Sequence, residues 1–448
     1  MLCGCPYSPS PGVTVAPASP GITEPPASPG ITVAPAGTTE TTETTDAETT
    51  PTPHPLAGTT AELDAIGAIE IVGGSPGEGI GQQLFIGDFT ADGLDDLVVA
   101  GTTASYLVEG PVVADVQLGP GLDRLDYVPL VAGDFQGLGY DTVIVATGLG
   151  DVTSFDAPGG TGWLAGATTL HGVIDEAVQL VAGDLNGDGI DDFVLGVQSD
   201  TFGSPGHIRV WYDPFADPTE TPDVTLFGEE DHDGFHDNPL DVVPDLDGDG
   251  VNDLIAYPSR AGAFHDWYIV RGPPISLGTL PDAADWNWDQ QGGAEAWQGA
   301  GDLNGDGYND LLTWDWVEAL LDYTPLDESE GPMCGDATLR LSTIVDRADV
   351  VGDIDLDGSL DLAVSNLEEH EWTPPSFTAI VFGPIRGVVD VDTDGYVLFD
   401  ATAPDGVGAD TTVGDWNHDG NADLAIGVPG AAESPTGPGK VYLLFSPL

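Results

Sequence analysis

Basic side chains are almost missing from this chain. Eight Lys and Arg stand against 76 Asp and Glu in 448 residues, Lys440 is the only lysine, and the formal net charge is −68. A phosphate backbone is gripped by clustered Lys and Arg, so nucleic acid is excluded as a partner. An anionic lipid leaflet would repel such a chain. No apolar run approaches the ~18 residues of a spanning helix, so no transmembrane helix is expected. Cysteine is scarce as well: Cys3, Cys5 and Cys334 are too few, and odd in number, for a disulfide framework. There is no G-x-S-x-G, P-loop or C-x-x-C, and the eight histidines are dispersed, so no catalytic constellation emerges. Such a charge attracts cations, which turns attention to how the carboxylates are arranged.

Composition divides the chain in two. Residues 1–5 contain Leu2-Cys3-Gly4-Cys5, which resembles a truncated bacterial lipobox with Cys5 as the lipidation candidate. The charged and apolar regions of a signal peptide are missing ahead of it. Residues 6–61 carry three nine-residue copies, Ser10–Ala18, Ser19–Ala27 and Ser28–Ala36, followed by a Thr/Glu run. Repeated proline removes amide donors, and too few apolar residues remain to offset chain entropy, so a disordered Pro/Ser/Thr/Glu-rich stalk is expected. From residue 62 to 448 the pattern changes to short Val-, Ile- and Leu-rich runs cut by Gly, Pro, Asp and Asn, which read as many short strands with almost no helix.

One motif recurs seven times within this second region. Its first Asp falls at Asp88, Asp134, Asp184, Asp245, Asp302, Asp353 and Asp415, at intervals of 46 to 62 residues. Numbered from that Asp, oxygen-bearing side chains occupy positions 1, 3, 5 and 9, position 2 is apolar, and position 6 is always Gly. Alternate residues of a tightly curled loop point inward, so the oxygens at 1, 3 and 5 converge, and Gly at 6 allows the sharp turn. The carbonyl at position 7 and the Asp at 9 then complete a shell of six or seven oxygens, which suits Ca²⁺. An EF-hand begins similarly but needs Glu at position 12 and flanking helices, whereas here strands flank each loop.

The donor sets are as follows. Loop 1 offers Asp88, Thr90, Asp92, Leu94 and Asp96, and loop 3 offers Asp184, Asn186, Asp188, Ile190 and Asp192. Loop 4 has Asp245, Asp247, Asp249, Val251 and Asp253, and loop 5 has Asp302, Asn304, Asp306, Tyr308 and Asp310. Loop 6 has Asp353, Asp355, Asp357, Ser359 and Asp361, and loop 7 has Asp415, Asn417, Asp419, Asn421 and Asp423. Loop 2, starting at Asp134, has Leu138 at position 5 and Thr142 at position 9, and is expected to stay empty. About six Ca²⁺ sites are therefore expected.

The motif G-D-x-[ND]-x-D-G-x-x-D-[LF] at this spacing resembles the FG-GAP repeat of the integrin α-subunit head and its bacterial relatives, also described as VCBS repeats. The resemblance implies an all-β, seven-bladed β-propeller of four-stranded antiparallel blades, with the metal loops between the first and second strands on one face. Residues Ala65–Gly73 form an isolated strand ahead of the first loop and are expected to complete the last blade, closing the ring. Nothing matches the integrin legs or membrane helix, so no integrin partner follows.

These features point to a monomeric, Ca²⁺-stabilised adhesion or recognition module, secreted or tethered to a bacterial surface, whose partner is an extracellular protein or glycan. The alternatives are a propeller-scaffold polysaccharide lyase or hydrolase, and a structural surface-layer component. Inserts at 197–208, 228–238 and 318–336 would diversify the face opposite the metal loops. Five of the ten tryptophans lie between 286 and 316. Trp286 and Trp288 alternate with acids as on a strand, and either pack between blades or form a stacking platform for a ligand.

Overall fold

The computed structural model describes residues 54–448, apart from 120–122, 148–149, 161, 172–177, 198–204, 216–220, 229–239, 258–265, 275–277, 290–295, 306, 308, 315–317, 324–336, 341–345, 368–375, 401–405 and 430–436. Residues 1–53, Cys5 among them, lie outside the described residues, as do most of the three inserts; the last expected stalk residues, 54–61, are described and lead into the strand Thr59–Glu62.

Among the described residues, short apolar runs separated by Asp/Gly loops fold into seven sheets of four antiparallel strands, in sequence order in six of them, while the seventh takes its outer strand from the start of the chain. Their first strands are Gln83–Gly87, Val131–Gly133, Val178–Gly183, Leu240–Val243, Ala296–Ala300, Arg347–Val350 and Thr411–Gly414. The second strands are the most apolar. Asp96–Ala100, Asp192–Val197 and Asp423–Val428 are buried along their whole length, because a sheet lies against each face.

The sheets form a closed ring. Seven apolar clusters are present, each filling the gap between one sheet and the next. The seam between the last and first sheets is filled by Trp416, Ala425, Val441, Ile71, Leu97 and Val99. Position 2 of each loop supplies one residue to each cluster in turn: Phe89, Phe135, Leu185, Leu246, Leu303, Ile354 and Trp416, none more than 2% exposed. Each such burial stabilises the ring by roughly 2 kcal/mol. A ring of radial four-stranded antiparallel sheets is a β-propeller.

The outer edges show a second repeated device. Ile69–Val72 pairs antiparallel with Lys440–Leu444 and supplies the outer strand of the seventh sheet. Among the described residues, a short strand from the neighbouring repeat adds a parallel fifth strand in four places. Thr59–Glu62 lies beside Tyr396–Phe399, Val116–Gln117 beside Ile69–Val72, Gly278–Thr279 beside Val224–Phe227, and Gly387–Asp390 beside Ala337–Arg340. The residue after each strap, Leu63, Leu118, Leu280 or Val391, is at most 2% exposed and enters an inter-sheet cluster. Three of the four straps run into a single helical turn: Leu63–Ala65, Leu280–Ala283 and Val391–Asp394. These turns are the helical elements among the described residues, and the straps cover strand edges that would otherwise be open to another chain.

Candidate metal centres

All seven loops connect a first strand to a second strand, and their curl follows from the side chain at position 1. In every loop the amide of the Gly at position 6 donates to Oδ2 of the first Asp, at 2.7 to 2.9 Å. The amide at position 5 donates to its Oδ1, for example Asp92 to Asp88 at 3.0 Å and Asp419 to Asp415 at 2.8 Å. Position 3 repeats the device one step on, with Asp249 donating to Asp247 Oδ1 at 3.1 Å and Asp357 to Asp355 Oδ1 at 3.0 Å. Each carboxylate therefore caps the next amides while keeping lone pairs directed inward.

Two backbone positions in each loop are left-handed. Position 6 is, as the repeat implies, with φ from 74° at Gly139 to 98° at Gly307. Position 4 is as well, and there the chain tolerates Ala91 (φ 59°), Leu356 (64°) and His418 (60°) beside four glycines. Sequence reading placed the turn at position 6 alone, because position 4 holds glycine in only four copies.

The Asp at position 9 opens the second strand, or in loop 6 directly precedes it, and is buried. Its two oxygens hold backbone amides from opposite sides. Asp361 Oδ2 accepts from Ile354 N at 2.9 Å and Oδ1 from Gly383 N, beyond the third strand, at 2.8 Å. Asp192 and Asp253 make the same pair of contacts, and Asp96 accepts from Thr90 N, one position further on, and from Gly110 N. Desolvation pushes the carboxyls of Asp96, Asp253 and Asp423 up to about 6, and those of Asp192 and Asp361 up to about 7. Position 9 thus ties the loop to two strands of its own sheet, a role that the ligand spacing does not reveal.

The donor chemistry fits a hard cation. Three carboxylates bring one oxygen each within 4.8 Å of one another in loop 4 (Asp245, Asp247, Asp249) and in loop 6 (Asp353, Asp355, Asp361). In loops 5 and 7, Asn304 Oδ1 and Asn417 Oδ1 at position 3 are buried with no protein hydrogen-bond partner. An orphaned buried carbonyl oxygen costs about 1–3 kcal/mol, which a cation would offset. In the degenerate second loop, Thr142 at position 9 donates its hydroxyl to Gly133 O at 3.2 Å. Asp306 and Tyr308 lie outside the described residues.

Other charges approach these loops. Arg271 Nε lies 2.9 Å from Asp247 Oδ2 and partly neutralises loop 4. Arg386 Nε donates to Asn304 O at 2.6 Å. His54 Nε2 lies 3.7 Å from Asp355 Oδ2, with its ring 3.9 Å from that of Phe382. These contacts join segments distant in sequence and leave no local signal. Trp286–Asp289 is the outer strand of the fourth sheet, with Trp288 opposite Trp267; the Trp286 and Trp288 side chains lie outside what is described.

The architecture is therefore a β-propeller whose blades each carry an acidic Asx-capped loop between the first and second strands. Residues 407–444, spanning the seventh loop and its strands, match the FG-GAP repeat. Among solved structures, a lectin of Agrocybe aegerita described as recognising non-reducing terminal N-acetylglucosamine is 17% identical, with a TM-score of 0.42 over 66% of this chain and 76% of its own. A BBS1N structure in complex with ARL6DN is 10% identical, with a TM-score of 0.46 over 83% of this chain and 92% of its own. No helix among the described residues is long and apolar enough to cross a membrane.

Proposed function

We propose that this propeller is a Ca²⁺-stabilised recognition or adhesion module working outside the cell, either secreted or held at a bacterial surface, with an extracellular protein or glycan as its partner. The observation that carries the reading is the recurrence of one loop chemistry. Six loops retain oxygen donors at positions 1, 3, 5 and 9, and two of them bring three carboxylates within 4.8 Å. Bound calcium would supply positive charge that holds these carboxylates ionised and together. Asp88, Asp184, Asp245, Asp302, Asp353 and Asp415 would anchor it, with positions 3, 5 and 9 completing each shell. Burial pushes the position-9 carboxyls of Asp192 and Asp361 up to about 7, so metal binding there would release protons.

Millimolar calcium outside cells suits sites of Kd ~0.1–1 mM, and at ~100 times Kd one site stabilises the fold by roughly 2.7 kcal/mol. The test is a thermal melt of the full chain in EDTA, then with CaCl₂ or MgCl₂, paired with glycan-array and protein-binding screens in both conditions. EDTA should lower Tm substantially, Ca²⁺ should restore it, and Mg²⁺ should do so poorly. A melt indifferent to EDTA would remove the calcium reading. Robust hydrolysis or elimination of a polysaccharide would replace recognition with catalysis.

A further inference from the structure

Position 8 carries no ligand in the repeat, yet it is where neighbouring loops meet. Asp141, at position 8 of loop 2, holds the first residue of loop 1 at two points. Asp88 N donates to Asp141 Oδ2 at 2.9 Å, and Asp141 N donates to Asp88 O at 3.0 Å. Asp191 of loop 3 holds Asp134 of loop 2 in the same way, at 2.9 and 3.1 Å. Across the ring seam, Asp415 N donates to Asp95 Oδ2 at 2.8 Å.

The contact also explains the glycine before the first Asp in loops 1 and 2. A Cβ on Gly87 would come within 2.5 Å of Asp141 Oδ2, and one on Gly133 within 2.3 Å of Asp191 Oδ2. Elsewhere the link changes character. Asn309 of loop 5 donates through Nδ2 to Asp245 O at 2.8 Å. Loops 6 and 7 place Leu360 and Ala422 there, against Gly301 and Gly352, and neither side chain can accept an amide proton.

We propose that the acid at position 8 is a positioning residue for the preceding cation loop, and that through it loops 7, 1, 2 and 3 form a coupled arc in which loop 2 relays between its neighbours without binding a cation. The coupling rests on the calcium reading above, whereas the positioning can be tested without metal. Both oxygens of Asp88 already serve its own loop, so the placement of that carboxylate follows its backbone, which Asp141 fixes from both sides. Loop 2 has lost two carboxylates but keeps Asp134, Asp141 and Gly139, the residues its two links and its own turn require.

The experiment is amide hydrogen exchange on the full chain, in EDTA and across a CaCl₂ titration, for the parent, Asp141→Leu, Asp191→Leu and Asp95→Leu. Leucine is the residue that loop 6 carries at this position. In EDTA, Asp141→Leu should speed exchange at Asp92 and Gly93 by about tenfold, the effect of losing one charge-assisted hydrogen bond. Asp249 and Gly250 of loop 4 should not change, which separates positioning from general loosening. In calcium, loop 1 of the variant should need about tenfold more Ca²⁺ for protection. In the parent, calcium should protect Leu138 and Gly139 of loop 2, and Asp191→Leu should abolish that response.

Should Asp141→Leu fail to fold, Asp95→Leu tests the same link through Asp419 and Gly420 of loop 7. Unchanged exchange of the preceding loop in EDTA overturns the positioning role. Loop 2 amides that ignore calcium while loops 1 and 3 respond overturn the relay. If no amide responds to calcium at all, the calcium reading fails and the EDTA comparison still decides the positioning.

Discussion

Loop 6 permits an experiment whose sign depends on the metal. Asp353, Asp355 and Asp361 hold one oxygen each within 4.8 Å of one another. Two carboxylates at that distance repel by about 1 kcal/mol in a water-like medium and by several times that at an effective dielectric of ~20. Asp355→Asn removes one charge while keeping the shape. Asn already stands at position 3 in loops 3, 5 and 7, and Asn186 Oδ1 accepts from Asp188 N at 2.9 Å as Asp355 Oδ1 does from Asp357 N. In EDTA the variant should therefore be more stable than the parent by about 1–2 kcal/mol. In saturating Ca²⁺ it loses an anionic ligand, and a hundredfold loss of affinity removes about 2.7 kcal/mol, which exceeds the gain from relieved repulsion. The order of stability should reverse. The assay is urea unfolding at pH 8, with EDTA and with CaCl₂. A change of the same sign in both conditions would refute the placement of a cation among these three carboxylates.

Three further outcomes follow from the geometry. Leu356 is exposed and held at φ 64°, so Leu356→Gly should relieve about 1 kcal/mol of left-handed strain, offset in part by chain entropy, and raise the urea midpoint slightly. Leu63 is fully buried between the sixth and seventh sheets, and Leu63→Ala should cost about 2–4 kcal/mol by the same measurement. Asp241, on the first strand of the fourth sheet, is pushed up to about 7 by desolvation, opposed by amides of Gly299 and Val242. Its unfolded value lies near ~3.9, so between these the folded state binds the extra proton. Stability from this group is gained as pH falls below about 7 and lost as pH rises through it. In Ca²⁺, Asp241→Asn should flatten the change in stability between pH 5.5 and 7.5 by about 2 kcal/mol, and an unaltered pH profile would count against that burial.

The repeat made much of this molecule readable. A fixed donor spacing with glycine at position 6 marks a loop, and loops between short apolar runs mark strand pairs, so the sheets and their acidic turns follow from local pattern. What stayed hidden is what joins one repeat to another. Leu118, Leu280, Val391 and Leu63 perform one task, but they follow straps of two to four residues with no shared sequence. The second role of Asp361 needs Gly383, 22 residues away, and Asp95 reaches Asp415 across 320. Such contacts exist only once the ring has closed. A pattern search is weak at position 8 for a related reason: its chemistry varies from Asp to Asn, Leu and Ala while its place in space does not.

The closing strands have a mechanical consequence. Thr59–Glu62 runs parallel to Tyr396–Phe399, and Ile69–Val72 lies beside Lys440–Leu444, so the first strands of the ring are sewn into its last two sheets. Tension applied to the chain ahead of Thr59 would load the four-residue ladder of Thr59–Glu62 along the strand, its hydrogen bonds together in shear, before it reached Leu63 or the outer strand of the seventh sheet. The place where the ring is fastened is thus also the place where an applied force would arrive.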